Sequence, residues 1–198
     1  MSTCDNFKCR KLIGARYFNK GYASNVGHLN SSYETARDDD GHGTHTLSTA
    51  GGNFVQRVSM FGNGYGTAKG GSPKALVAAY KVCWPSVGSG GCFMADILAA
   101  FEAAISDGVD VLSISLGGGA REFSEDILAI MSFHAVKNGI TVVCSAGNFG
   151  PLEGTASNVA PWMITVGAST VDRHFTTNVV LGDKRHFKVL YPTLVSSI

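Results

Sequence analysis

The alternation of apolar runs with helical patterns from Ala75 onward restricts this chain more than any other feature. Ala75 to Val82 is a nearly continuous apolar run, as expected of a strand covered on both faces. A loop rich in Gly and Ser follows through Gly91. Ala95 to Ser106 then sets Ile97, Leu98, Phe101, Ala104 and Ile105 on one helical face, with Gly108 placed to end the helix. Val109 to Leu116 reads as a second strand, closed by Gly117-Gly118-Gly119. A second helix is expected from about Ser124 to Asn138, with Ile127, Ile130, Met131, His134 and Ala135 inward and Gly139 after it. Ile140 to Ser145 and Met163 to Ala168 read as third and fourth strands. Crossovers of this length imply a parallel sheet flanked by helices, so the fold class is α/β. Residues 1–41 read as loop-rich, and Thr176 to Ile198 shows no continuation of the pattern. Within that stretch, Phe187 to Ile198 reads as an edge strand or a frayed tail. No repeat or linker divides the sequence, which is read as a single partial domain over 1–198.

A length of 198 residues, 44% hydrophobic and 16% charged, suits one domain with a substantial core. The formal net charge of +1 gives no basis for binding nucleic acid or an anionic membrane. No apolar run approaches the roughly 18 residues of a membrane-spanning helix. Met1 to Asp5 is polar and lacks the apolar core of a signal peptide, so the chain taken literally would stay in the cytosol. The cysteines point the other way. Cys4 with Cys9, and Cys83 with Cys92, are close enough to bridge within loops, which would require an oxidising compartment. Cys144 is then left as a buried thiol. No CxxC pair suggests a metal, and Asn30-Ser31-Ser32 is a formal glycosylation sequon, meaningful in a secreted chain.

In open parallel sheets, ligands gather at the carboxyl ends of the strands. Three Gly-rich stretches fall there: Gly88 to Gly91, Ser115-Leu116-Gly117-Gly118, and Ala146-Gly147-Asn148. Glycines at such a rim let an extended peptide pair with the backbone. His42 lies between glycines just before Thr44 to Ala50, a short helix ended by Gly51-Gly52. It is either a general base on a fixed element or a turn histidine beside an acidic run. His45, three residues on, shares its helix face and is expected to pack beneath it. A zinc pair from these two lacks the i, i+4 spacing and the Glu of H-E-x-x-H. Asn148 follows an apolar strand and a Gly, and is either an amide donor at a strand end or a left-handed turn asparagine. Gly62 to Gly66 lacks the spacing of a nucleotide loop.

The residues as a set resemble the subtilisin-like serine proteases, specifically the plant subtilase branch. The resemblance rests on Lys11 to Phe18, Asp40 to Gly51, Gly66 to Pro73, Ala78 to Trp84, Ala95 to Phe101, Ser145 to Asn148, Ala160 to Trp162 and Gly167 to Arg173, and covers about residues 9–187. It implies a subtilisin-like parallel sheet, incomplete at both ends. It implies that His42 is the catalytic histidine and Asn148 the oxyanion donor, with Gly90, Gly91, Ser115, Leu116 and Gly117 flanking an extended polypeptide substrate. A monomer without cofactor or metal is expected, secreted in its full-length form.

Subtilisins order their triad Asp, His, Ser along the chain. Upstream of His42 stand only Asp5, Asp38, Asp39 and Asp40, the last three too close to His42 to come from a separate strand. No Gly-Thr-Ser-Met follows; Gly154-Thr155-Ala156-Ser157 is a superficial imitation that reads as a loop. The expectation is a central piece of a serine endopeptidase domain that lacks triad Asp and Ser and is inactive alone. The alternatives are a non-catalytic remnant that binds extended peptides and a truncated gene product.

Overall fold

The computed structural model describes residues 11–60, 62–87, 90–119, 121–169 and 176–190. In chain order its elements begin β1 (Leu12–Tyr17), α1 (Lys20–Asn25), α2 (His42–Gly51), β2 (Val55–Met60), β3 (Asn63–Ala68), β4 (Val77–Lys81), β5 (Cys83–Val87) and β6 (Gly90–Cys92). They continue with α3 (Met94–Asp107), β7 (Val111–Ile114), α4 (Ile127–Lys137), β8 (Thr141–Ser145), β9 (Ile164–Val166), β10 (Thr176–Val180) and β11 (His186–Leu190). The described residues fall into two compact units, one running from Lys11 to Phe54 and from Lys69 to Gly167, the other formed by those of 55–68 and those from Ala168 to Leu190.

The larger unit is the α/β part. Its parallel strands form two hydrogen-bonded groups, β1 with β4 and β7-β8-β9, where a single sheet was the simplest expectation. Side chains join what backbone pairing does not. Val82, Ile97, Ala100, Phe101, Leu128 and Met131 form a buried cluster that takes in Tyr80 from β4 and Leu112 and Ile114 from β7. A second cluster packs Ala129 and Ala135 of α4 on Val142 and Cys144 of β8, with Ala160 and Met163. Burying a large apolar side chain of this kind contributes about 1.5–3 kcal/mol, so α3 and α4 carry most of the adhesion.

The helices follow their sequence signals closely. Gly108 ends α3 in the left-handed conformation, at φ 70°. Helix α4 starts three residues later than read, because the Asp126 carboxylate accepts the Leu128 amide at 2.9 Å and is its N-cap. The inward stripe of α4 is Leu128, Ala129, Met131, Ser132 and Ala135. His134, expected inward, is exposed instead, because the buried face of the helix runs through Ser132 and Ala135, and position 134 falls outside it.

Of the stretch 1–41, residues 1–10 lie outside the described residues, and 11–41 are less irregular than their sequence implies. Strand β1 pairs in parallel with β4, from Gly14 opposite Ala78 to Tyr17 opposite Lys81, a partner over sixty residues away. Helix α1 has no apolar periodicity; it is held by Asp96 of α3. That carboxylate is 1% exposed and accepts the amides of Gly21 at 2.8 Å and Tyr22 at 2.9 Å. A Cβ on Gly21 would lie 3.0 Å from Asp96 Oδ2 and 3.1 Å from Phe93 Cβ, so a side chain here would push these neighbours back by a few tenths of an ångström.

The smaller unit holds two antiparallel hairpins, β2–β3 and β10–β11. The first absorbs the Gly62–Gly66 string. The second replaces part of the stretch in which no pattern was evident, with His186–Leu190 pairing across to Thr176–Val180. Residues 191–198, the rest of the expected tail, lie outside the described residues.

Candidate functional site

His42 is exposed and is the first residue of α2. The turn before it is built by Asp38. Its Oδ1 accepts the amides of Asp40 at 3.1 Å and Gly41 at 2.8 Å, and its Oδ2 accepts the Thr44 amide at 2.7 Å and hydroxyl at 2.6 Å. The Thr44 hydroxyl holds the Asp38 carboxyl far below the usual carboxylate range; burial opposes this, and the amides of Gly41, Thr44 and Asp40 add to the lowering. Gly41, at φ 100°, takes the left-handed step that starts the helix. The acidic run is therefore a set of local anchors, and His42 rides on a fixed turn. His45 is exposed rather than packed beneath it.

The other end of α2 is equally fixed. Gly70, Gly71 and Ser72 donate to the carbonyls of Gly52, Thr49 and Ala50 at 2.8–2.9 Å. The loop carrying His42 is also tied to the carboxyl end of β4: Lys81 forms an ion pair with Asp39, donates to the Arg37 carbonyl at 2.8 Å and lies 4.4 Å from the Trp84 ring centroid.

Gly90 and Gly91 lie on β6, which pairs antiparallel with β5 and is closed by the Cys83–Cys92 disulfide. One of the two bridges considered from sequence is thus present; Cys4 and Cys9 lie outside the described residues, as do Gly88 and Ser89 at the start of that Gly-rich stretch. A Cβ on Gly91 would sit 1.9 Å from the Trp84 carbonyl oxygen. Its lack of a side chain is thus required by its own hairpin, whatever else it serves.

Ser115, Leu116 and Gly117 directly follow β7, and Asn148 comes three residues after β8 ends. The structure brings these two strand ends together through Asn158, which no sequence motif marked, and Ser157, which read only as part of a loop. Asn158 donates from Nδ2 to the carbonyls of Leu116 at 2.7 Å and Ser145 at 2.9 Å. Ser157 donates its amide to the Ala146 carbonyl at 2.9 Å, and its hydroxyl lies 3.0 Å from where a Cβ would stand on either Gly117 or Gly147. Both are buried. Asn158, not Asn148, is the left-handed asparagine: positive φ among described non-glycine residues occurs at Arg57, Asn158 and Lys184, while beside Asn148 it falls on Gly147, at φ 89°. Asn148 itself is exposed at the strand end. The signal for Asn158 was present as Ser157-Asn158 before an apolar run, but its two partners lie 13 and 42 residues away.

Cys144 is buried beside Met163, with Sγ to Sδ at 3.5 Å, and burial pushes its thiol up to about 11, with a smaller contribution from Asp126. It sits under the rim as packing. Among the described residues no group of three or more His, Cys, Asp or Glu is placed to hold a metal ion. Nor is any described helix long and apolar enough to cross a membrane.

The sequence is similar to known proteins over most of its length. The sequence matches the Subtilase family over residues 9–182. It is 67% identical over 183 residues to the subtilisin-like protease SBT5.3 of Arabidopsis thaliana, covering 92% of this chain and 24% of that protein. It is 68% identical over 180 residues to SBT5.4 of the same plant, covering 90% and 23%. With the subtilisin-like protease Glyma18g48580 of Glycine max it shares 51% identity over 187 residues, 92% of this chain and 23% of that one. The chain thus spans about a quarter of the length of these relatives. With the family match running through the α2 turn, both strand-end loops and the disulfide hairpin, the chain belongs to the subtilase family of serine proteases.

Proposed function

We propose that this chain supplies the histidine and oxyanion side of a secreted serine endopeptidase's active site. His42 is the general base, Asn148 the oxyanion donor, and Gly90, Gly91, Ser115, Leu116 and Gly117 flank an extended polypeptide substrate. The observation that carries this reading is an exposed imidazole on a helix start locked by Asp38, since a general base needs access and a fixed position together. In a complete triad the histidine takes the serine proton, a buried Asp holds its tautomer, and amide donors stabilise the tetrahedral oxyanion. Loss of one such donor costs roughly 10²–10³-fold in turnover, a figure measured on a subtilisin asparagine and not on this chain.

The chain alone is proposed to hydrolyse no peptide bond at a useful rate. Strand β1, which precedes His42, contains no Asp, and Ser157 of the Gly-Thr-Ala-Ser stretch is buried against Ala146 and two glycines. Loss of the serine alone costs about 10⁶-fold in a subtilisin. A fluorophosphonate probe for activated serines should leave the chain unlabelled. Labelling that disappears in His42→Ala would overturn this. A second reading, binding of extended peptides without cleavage, is favoured by Asn158, which holds both strand-end loops using only residues of this chain. Titration with an uncleavable extended peptide tests it: loss of binding on Asn158→Ala supports the reading, and no binding by the parent chain ends it.

A further inference from the structure

Asn30-Ser31-Ser32 is the single Asn-x-Ser/Thr sequence in the chain, and its middle residue is not proline. The structure sets it between α1 and α2, in a stretch over 26–41 that contains no helix or strand. Asn30, Ser31 and Ser32 are all exposed. The Asn30 side-chain oxygen accepts hydrogen bonds from both the amide and the hydroxyl of Ser32, each at 3.1 Å. The Tyr33 amide closes the same turn on the Asn30 carbonyl at 2.8 Å. This is an Asx turn, in which the hydroxyl two residues on is held against the asparagine amide. A bulky hydrophilic group attached here displaces no packed side chain, because neither Asn30 nor its two successors contributes to a core cluster.

A separate observation sets the chemical compartment. The Cys83–Cys92 disulfide is formed, and such bonds persist where the environment is oxidising, on the secretory side of the cell. That is also where asparagine receives sugar. We propose that Asn30 is an N-glycosylation site. The Asn30 Nδ2 forms a bond to the anomeric carbon of a lipid-pyrophosphate-linked oligosaccharide. The bond from that carbon to the pyrophosphate oxygen breaks, the lipid pyrophosphate leaves with the electron pair, and one amide proton passes to a base of the transferase. This modification is independent of the roles of His42 and Asn148.

The test is secretion of the whole chain from a eukaryotic cell behind a cleavable leader, followed by mapping of the tryptic peptide that runs from Gly21 to Arg37. The parent chain should carry an oligosaccharide on Asn30 in most molecules, released by peptide-N-glycosidase without unfolding and leaving Asp at that position. Asn30→Gln and Ser32→Ala should abolish the modification, while Ser32→Thr retains it at equal or higher occupancy. Unmodified Asn30 in secreted molecules whose Cys83–Cys92 bridge is closed overturns the proposal, because those molecules have passed through the compartment that glycosylates. Should the chain be retained in the cell, the same peptide read from membrane extracts decides, since the sugar is added before folding finishes; an unmodified peptide there overturns it equally.

Discussion

Asn158 combines three properties that seldom coincide in one residue: it is 5% exposed, it has φ of 56°, and its amide bridges two strand ends. Each makes a separate demand. Asn158→Ala removes both donors, strands the Leu116 and Ser145 carbonyls, and places a Cβ in left-handed backbone. The expected loss is about 2–3 kcal/mol of unfolding free energy. Asn158→Gly loses the same donors but relieves the backbone, and should be about 1 kcal/mol less damaging than Ala. Urea unfolding of the three proteins checks the order; Gly equal to or worse than Ala would mean that the backbone conformation is not what Asn158 supplies. Asp38 makes a different demand, one that depends on pH. Its folded pKa lies below the unfolded value of about 3.9, so its stabilisation is fully present above that value and is lost as pH falls toward the folded one. The stability gap between the parent and Asp38→Asn should therefore be widest near neutrality and close as pH drops below about 4. A gap that stays constant to pH 3 in denaturant titrations would remove Asp38 as a charged anchor of the His42 turn.

At the level of elements, helix α2 shows how little room this site leaves. A Cβ on Gly70 would lie 2.3 Å from the Gly52 nitrogen and 2.7 Å from the Ser48 carbonyl oxygen, both backbone atoms that cannot swing aside. Gly70→Ala should therefore cost more than about 2 kcal/mol, above the common range for surface changes. Amide exchange should locate the loss in α2 first, with the Gly71 and Ser72 bonds to its last turn. Uniform loss of protection across the unit would show that α2 is not separately held. The same close contacts explain what the sequence concealed. Helices α3 and α4 and strands β4, β7, β8 and β9 were legible, because apolar period and Gly108 are local signals. Strand β1 was not, since Leu12–Tyr17 gains its meaning from β4 over sixty residues on, and α1 depends on the carboxylate of Asp96. His42 and Asn148 stood out through their glycine neighbours. Asn158, which ties the rim, and Asp38, which fixes the turn, did not, because their work is done by hydrogen bonds rather than by pattern.

For the molecule as a whole, the decisive fact is one uncovered face. Parallel sheets are normally buried on both sides. Here α4 covers the side of β7-β8-β9 that carries Val142 and Cys144, whereas Val111, Ile164 and Val166 on the same strands are 55%, 54% and 52% exposed. Val143 of β8 pairs with Ile164 of β9 on that face, so apolar side chains of two adjoining parallel strands lie together there, the kind of surface that soluble monomers rarely leave open when it is large. The relatives have about three-quarters more of their length with which such a face can be covered, and this chain spans only 23–24% of them. The isolated chain should consequently bind a hydrophobic dye such as ANS in its native buffer and self-associate as concentration rises. Replacing Ile164 and Val166 by Thr keeps the β-branched shape favoured in strands while removing apolar surface. That double variant should lower dye binding severalfold and shift sedimentation toward monomer, with the Cys83–Cys92 bridge and the fold retained. If the parent chain sediments as a monomer at every concentration and binds no dye, the face is covered by other means. Peptide binding by the chain on its own would then become the stronger of the two readings, because the rim held by Asn158 would stand on a self-sufficient fold.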